Sequence, residues 1–208
     1  MRLAGILVVL LVAAGIAALI VLDRRPPPQA APDPGLEGLR LQDFQLVDQD
    51  GEPVDQRLLE GHVTIVDFMF THCQLVCPRM TGEMAMLHDR LGDVPVRFVS
   101  FSVDPDRDTP EVLRDYAARF EVDHDRWTFC TGSRDVTWGL ARAIGFEMAE
   151  DTRDENIIEL DGGTTMRNIT HPNRLLLVGP DRQILGLYNY ADPADLERLE
   201  ARARELVN

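Results

Sequence analysis

The sequence predicts an α/β fold with a central mixed sheet flanked by helices, on three observations. Short apolar, β-branched runs recur along the chain, each is followed by a segment of helical periodicity, and the chain ends in a turn-linked strand pair and one more helix. Phe44-Gln45-Leu46-Val47 followed by Asp48-Gln49-Asp50-Gly51 and Pro53 reads as a short strand entering a turn, a preliminary hairpin. Val63 to Phe70 is mostly apolar, β-branched and aromatic, the pattern of a strand buried on both faces. Pro78 suits the first turn of a helix, and Met80, Met84, Leu87 and Leu91 repeat at helical spacing until Gly92 and Pro95 stop it. Val96 to Val103 repeats the strand, and Thr109-Pro110-Glu111 opens a helix carrying Val112, Leu113, Tyr116 and Phe120. Strands alternating with helices imply parallel βαβ units. Trp127 to Cys130 reads as a further strand, and Ser133 to Ile144 as a helix capped by Ser133 and ended by Gly145. The stretch from there to Asn168 reads as irregular or hairpin. Arg174 to Val178, the turn at Gly179-Pro180-Asp181, and Ile184 to Tyr188 form an antiparallel hairpin, and Pro193 begins a closing, charge-rich helix.

The 208 residues suffice for one domain with a substantial core plus terminal extensions. A formal net charge of −14 argues against sequence-independent binding to nucleic acid, which depends on clustered Lys and Arg neutralising phosphates. Leu3 to Leu22 is an unbroken run of 20 apolar or Gly residues, enough as a helix to cross a hydrocarbon layer of about 30 Å. The competing reading is a cleaved signal peptide, but its apolar region is usually only about 7 to 15 residues long. The length favours an uncleaved membrane anchor over residues 1–25. Arg2 on one side and Arg24 and Arg25 on the other leave the orientation undecided by charge. Residues 26–36 carry five prolines and should form an extended spacer, and 37–208 is the expected globular domain.

The chemistry concentrates at Cys73-Gln74-Leu75-Val76-Cys77-Pro78, where a buried strand hands over to a helix. Backbone N–H groups and the helix dipole favour thiolate there, so both cysteines are expected to be unusually reactive. Residues four apart share one helix face, which permits either a shared metal or, after local adjustment, a disulfide. The bland alternative is a pair of small buried hydrophobes. Cys130, at a strand end, reads most simply as core. Asp104 and Asp108 follow a strand end on a loop expected to border the cysteines and to tune them electrostatically, with capping of the following helix as the alternative for Asp108.

Phe70-Thr71-His72-Cys73-Gln74-Leu75-Val76-Cys77-Pro78 and Ser102-Val103-Asp104-Pro105-Asp106-Arg107-Asp108-Thr109-Pro110-Glu111, with Trp127 to Ser133 and the hairpin near His171, resemble the Sco (SenC) family of copper chaperones over roughly residues 40 to 206. The resemblance implies a thioredoxin-like fold and a copper site made by Cys73, Cys77 and the His171 of Asn168-Ile169-Thr170-His171-Pro172. In one respect the chain departs from that pattern: Pro172 follows the histidine, where a small or polar residue is usual. Two soft thiolates favour Cu(I), and an imidazole beside them also accepts Cu(II). His72 is the rival ligand, while His62, His88 and His124 are read as solvated.

The function implied is copper delivery to the dinuclear copper site of a haem-copper respiratory oxidase, from a membrane-anchored domain on the extracytoplasmic (periplasmic) side. Its partners would be the copper-accepting subunit and an upstream copper donor or thiol-disulfide reductant. A thiol-disulfide oxidoreductase using Cys73 and Cys77, and needing no histidine, is the alternative. A peroxiredoxin-like peroxidase is disfavoured because Pro-x-x-x-Thr/Ser-x-x-Cys does not precede Cys73. A structural zinc site would be left with an open position by three ligands.

Overall fold

A computed structural model describes residues 31–74 and 76–207. The anchor expected at residues 1–25 and the first part of the linker lie outside them. Among the described residues no helix is long and apolar enough to cross a membrane.

The expected mixed sheet is present, with seven strands. Its parallel centre is β3 (Val63–Met69), β4 (Val96–Ser102) and β5 (Trp127–Thr131), and all seven residues of β3 are buried. β10 (Leu175–Val178) runs antiparallel to β3, and β11 (Ile184–Tyr188) pairs beyond it. The early hairpin, β1 (Gln45–Asp48) and β2 (Pro53–Asp55), completes the other edge by pairing β1 with β5, so the order is β11-β10-β3-β4-β5-β1-β2.

Helix α1 (Val76–Arg90) starts two residues before the proline that suggested it, and buries Cys77, Met80, Met84 and Leu87. Helix α2 (Pro110–Ala118) is capped by Thr109, whose hydroxyl accepts from Val112 N at 3.4 Å. Helix α3 (Arg134–Ala143) starts after Ser133 as expected, although the Ser133 hydroxyl makes no capping bond. Gly145 ends it at φ +89°, with Gly145 N donating to Arg142 O and Phe146 N to Ala141 O, the paired bonds of a Schellman stop. The closing helix α4 (Pro193–Val207) lies beside α1, tied by Arg90 to Glu200 at 2.7 Å. The segment read as irregular or hairpin holds two small antiparallel pairs. One joins β6 (Ala149–Glu150) to β9 (Ile169–Thr170), and the other joins β7 (Ile157–Glu159) to β8 (Thr165–Arg167).

His88 is not solvated. It is buried, with its ring 5.2 Å from Phe98 and 5.8 Å from Trp127. The reason is helical geometry: position 88 follows Met84 by four residues and so falls on the same core-facing stripe. His62 is half-buried, and His124 is exposed as expected.

Candidate metal centre

The C-terminal end of β3 delivers the chain into the site. Phe70 is buried, and its carbonyl accepts from Cys73 N at 3.3 Å, closing a turn over Thr71 and His72. Cys73 is half-buried at the end of that turn, whereas Cys77 is fully buried in the first turn of α1. Cys77 N donates to Cys73 Sγ at 3.3 Å, so a backbone N–H at the start of α1 is directed at the first sulfur.

His171 directly follows β9 and brings Nε2 to 3.5 Å from Cys77 Sγ. The two sulfurs and an imidazole nitrogen all lie within 4.8 Å of one another, an arrangement able to hold a metal ion. Nδ1 of His171 sits 2.9 Å from Pro172 O. A carbonyl oxygen only accepts, so Nδ1 carries the hydrogen, and in the neutral ring Nε2 is the nitrogen that presents its lone pair at Cys77 Sγ. The proline that departs from the family pattern therefore leaves the histidine in the tautomer a metal needs. The ring is steadied edge-on by Phe70, centroids 5.6 Å apart.

The expectation that both cysteines are activated fails for Cys77. Burial pushes its thiol well above the ordinary range, and the neighbouring Cys73 and Asp67 push the same way; only a backbone contact to Phe70 opposes them. The helix-terminus effect that acts on an exposed thiol is outweighed here by desolvation. Cys130 is core, as read, its thiol likewise raised by complete burial.

One residue of the neighbourhood escaped sequence reading. Asp67 interrupts the apolar run of β3, is fully buried, and neither carboxylate oxygen makes a hydrogen bond of ordinary geometry. Desolvation raises its pKa to about 6, offset only in part by Ser100 across the strand pair and by His171. A lone acid in a strand buried on both faces was the available signal.

Asp104 and Asp108 are both buried but differ in reach. Asp104 accepts from Arg107 at 3.0 Å and from Arg134 at 3.5 Å, so its carboxylate ties its own loop to the start of α3. Asp108 does not cap α2, a role Thr109 fills. Its carboxylate crosses to the cysteine loop, accepting from the Thr71 hydroxyl at 2.5 Å, from Thr71 N at 3.2 Å and from Ser102 at 2.6 Å. His72 stands outside the trio, 4.0 Å from Asp108 through Nδ1.

Residues 36–208 match the SCO1/SenC family model. The SCO1 protein homolog of Bacillus subtilis is 31% identical over 153 residues, covering 72% of this chain and 73% of that protein. BsSco, a member of the Sco family of cytochrome c oxidase assembly proteins with an identified disulfide switch, has a solved structure 29% identical at TM-score 0.64, covering 86% of this chain and 99% of that one. ScoI of Arabidopsis thaliana, solved with copper bound, is 26% identical at TM-score 0.64, covering 81% and 98%. With the fold, the strand-to-helix cysteines and the family model in agreement over the whole described domain, the chain belongs to the SCO1/SenC family.

Proposed function

We propose that the protein is a copper metallochaperone that binds Cu(I) or Cu(II) through Cys73, Cys77 and His171 and assists insertion of copper into the dinuclear site of a haem-copper respiratory oxidase. The observation that carries this reading is the convergence of His171, separated by 94 residues from Cys77, on the two cysteines. A redox pair alone has no use for an imidazole nitrogen held 3.5 Å from Cys77 Sγ and within 4.8 Å of both sulfurs. Two sulfurs and one imidazole suit Cu(I) as a three-coordinate site, and the same set tolerates Cu(II). Copper is the cargo, and it must displace the proton that burial keeps on Cys77.

The membrane anchor at residues 1–25, the spacer at 26–36 and the domain at 37–208 complete the proposal, with the domain held on the extracytoplasmic side. The copper-accepting oxidase subunit is its partner there. A second reading, thiol-disulfide exchange by Cys73 and Cys77, is favoured by the disulfide switch of BsSco and by the 3.3 Å contact between the Cys77 N–H and Cys73 Sγ.

His171→Ala separates the two. As a copper site, the variant loses affinity and the thiolate-to-copper absorption while keeping the reduction potential of the cysteine pair. Copper binding and absorption unchanged in that variant would remove His171 from the site. Rapid turnover of disulfide substrates without metal, together with copper binding no better than in Cys73→Ser, would establish the oxidoreductase instead.

A further inference from the structure

A groove of about 330 Å³ opens beside the site, and of the three proposed ligands only Cys73 lines it. His72 lines it next to Cys73, with Pro78 and Phe120 along the walls. Leu160 and Glu159 also line it, and Gln74 Nε2 reaches Glu159 O at 3.4 Å. Copper reaching or leaving the trio through this groove would meet Cys73 first and Cys77 last, since Cys77 is fully buried.

The hydrogen bonds behind His72 fix its chemistry. Thr71 Oγ1 lies 2.5 Å from Asp108 Oδ1 and 3.2 Å from His72 Nδ1. A threonine hydroxyl has one hydrogen, and the buried carboxylate, already accepting from Thr71 N and Ser102, takes it. Towards His72 the hydroxyl can then only accept, so Nδ1 carries the imidazole hydrogen. In the neutral ring Nε2 is then the nitrogen that can bind a metal, on a side chain that is 33% exposed. Asp108 and Thr71 thus set the tautomer of a histidine that shares a groove with the accessible ligand of the trio.

We propose that His72 is an exchange ligand for copper in transit. The inference rests on the reading of Cys73, Cys77 and His171 as the copper site. During release, Cys73 Sγ stays bonded to Cu(I), the bonds to His171 Nε2 and Cys77 Sγ break, and one to His72 Nε2 forms, leaving a two-coordinate sulfur–nitrogen ion in the groove. Cys77 regains its proton from solvent, copper does not change oxidation state, and loading runs the same exchange in reverse. Asp108 and Thr71 are positioning residues for that ligand.

The test is stopped-flow transfer of Cu(I) between the full chain and a water-soluble chromophoric Cu(I) chelator, alongside equilibrium competition with the same chelator. His72→Ala should slow both loading and release by about tenfold, the scale of losing a group that helps hold a metal, with the equilibrium affinity unchanged. Thr71→Val should slow transfer in the same direction but less, and Thr71→Ser, which keeps the hydroxyl, should restore wild-type rates. Normal transfer rates in His72→Ala would overturn the proposal. Release that is faster, not slower, with a matching fall in affinity would also overturn it, by making His72 a resident ligand or a structural one. If wild type binds Cu(I) no better than Cys73→Ser, the copper site itself fails, a result distinct from either.

Discussion

Replacing Asp67 by Asn isolates an energetic cost that the fold carries at the centre of β3. The carboxyl titrates near 3.8 when exposed and at about 6 in the folded chain, because complete burial disfavours the anion. Between those two values the folded state holds a proton that the unfolded state has released. Stability is therefore highest below the unfolded value, declines as pH rises from about 4 to about 6, and stays low above that. At 1.36 kcal/mol per pH unit the full loss is roughly 3 kcal/mol, of which roughly 1 kcal/mol has already gone at about pH 4.5.

Asn has nearly the same shape and does not titrate in this range. Relative to wild type, Asp67→Asn should thus gain about 2 kcal/mol between about pH 4.5 and about pH 7.5, because the other titrating groups are common to both chains and cancel. Urea unfolding of the metal-free, reduced protein at the two pH values measures this directly. Stability curves that run parallel across the interval would refute the reasoning, since they would mean that Asp67 ionises in the folded chain as easily as in the unfolded one. A gain of the expected size would mark β3 as a strand that gives up stability beside the cysteine site, where natural sequences tolerate such losses.

Three further outcomes follow from groups already placed. Copper affinity should rise with pH by up to about tenfold per unit through the neutral range, because binding must strip the raised Cys77 proton, and competition titrations at several pH values would show it as a proton released per copper bound. Cys130 should resist alkylation in the native protein and react only after denaturation, which mass spectrometry of iodoacetamide-treated samples would reveal, because its thiol is buried and raised. His88 is held neutral by burial, so its folded pKa lies below 6.5 and the unfolded chain binds the extra proton first. Its contribution falls as pH drops through that value, and His88→Leu should flatten the acid side of the stability curve.

The parallel centre, the helix starts and the late hairpin were legible because buried strands and amphipathic helices leave periods in the sequence. His88 was misread because a polar residue on a core stripe looks like an exposed one until the neighbours on the sheet are known. Cys77 was misread for a related reason: a helix N-terminus can be inferred from Pro78, but the depth at which its thiol sits depends on how α1 packs into the core. Asp108 could be placed near the cysteines, yet its bond to Thr71 joins residues 37 apart and appears only when β3 and β4 are set side by side. The histidine was assigned by resemblance, and nothing in its local sequence states which end of the sheet it reaches.

That last point turns on one strand pairing. β10 runs antiparallel to β3 with Leu176 opposite Val66 and Leu177 opposite Ile65, and continuing that register brings residue 171 level with residue 71, just ahead of Cys73. Were β10 parallel to β3 at the same contact, residue 171 would fall level with residue 61, at the far end of the sheet, about 33 Å away at 3.3 Å per residue. Register is as strict as direction. A slip of two residues keeps every apolar side chain of β10 on its own face, so hydrophobic patterning does not forbid it. Yet it would move His171 by about 7 Å along the strand, more than the 4.8 Å within which all three ligand atoms now lie. The short β6–β9 pair and the bond from His171 Nδ1 to Pro172 O add local restraints on this segment that the hydrophobic pattern lacks. Two of the ligands are placed locally, Cys73 by the turn that precedes α1 and Cys77 by that helix's first turn, while the third depends on the register of a strand that enters the sheet about a hundred residues later.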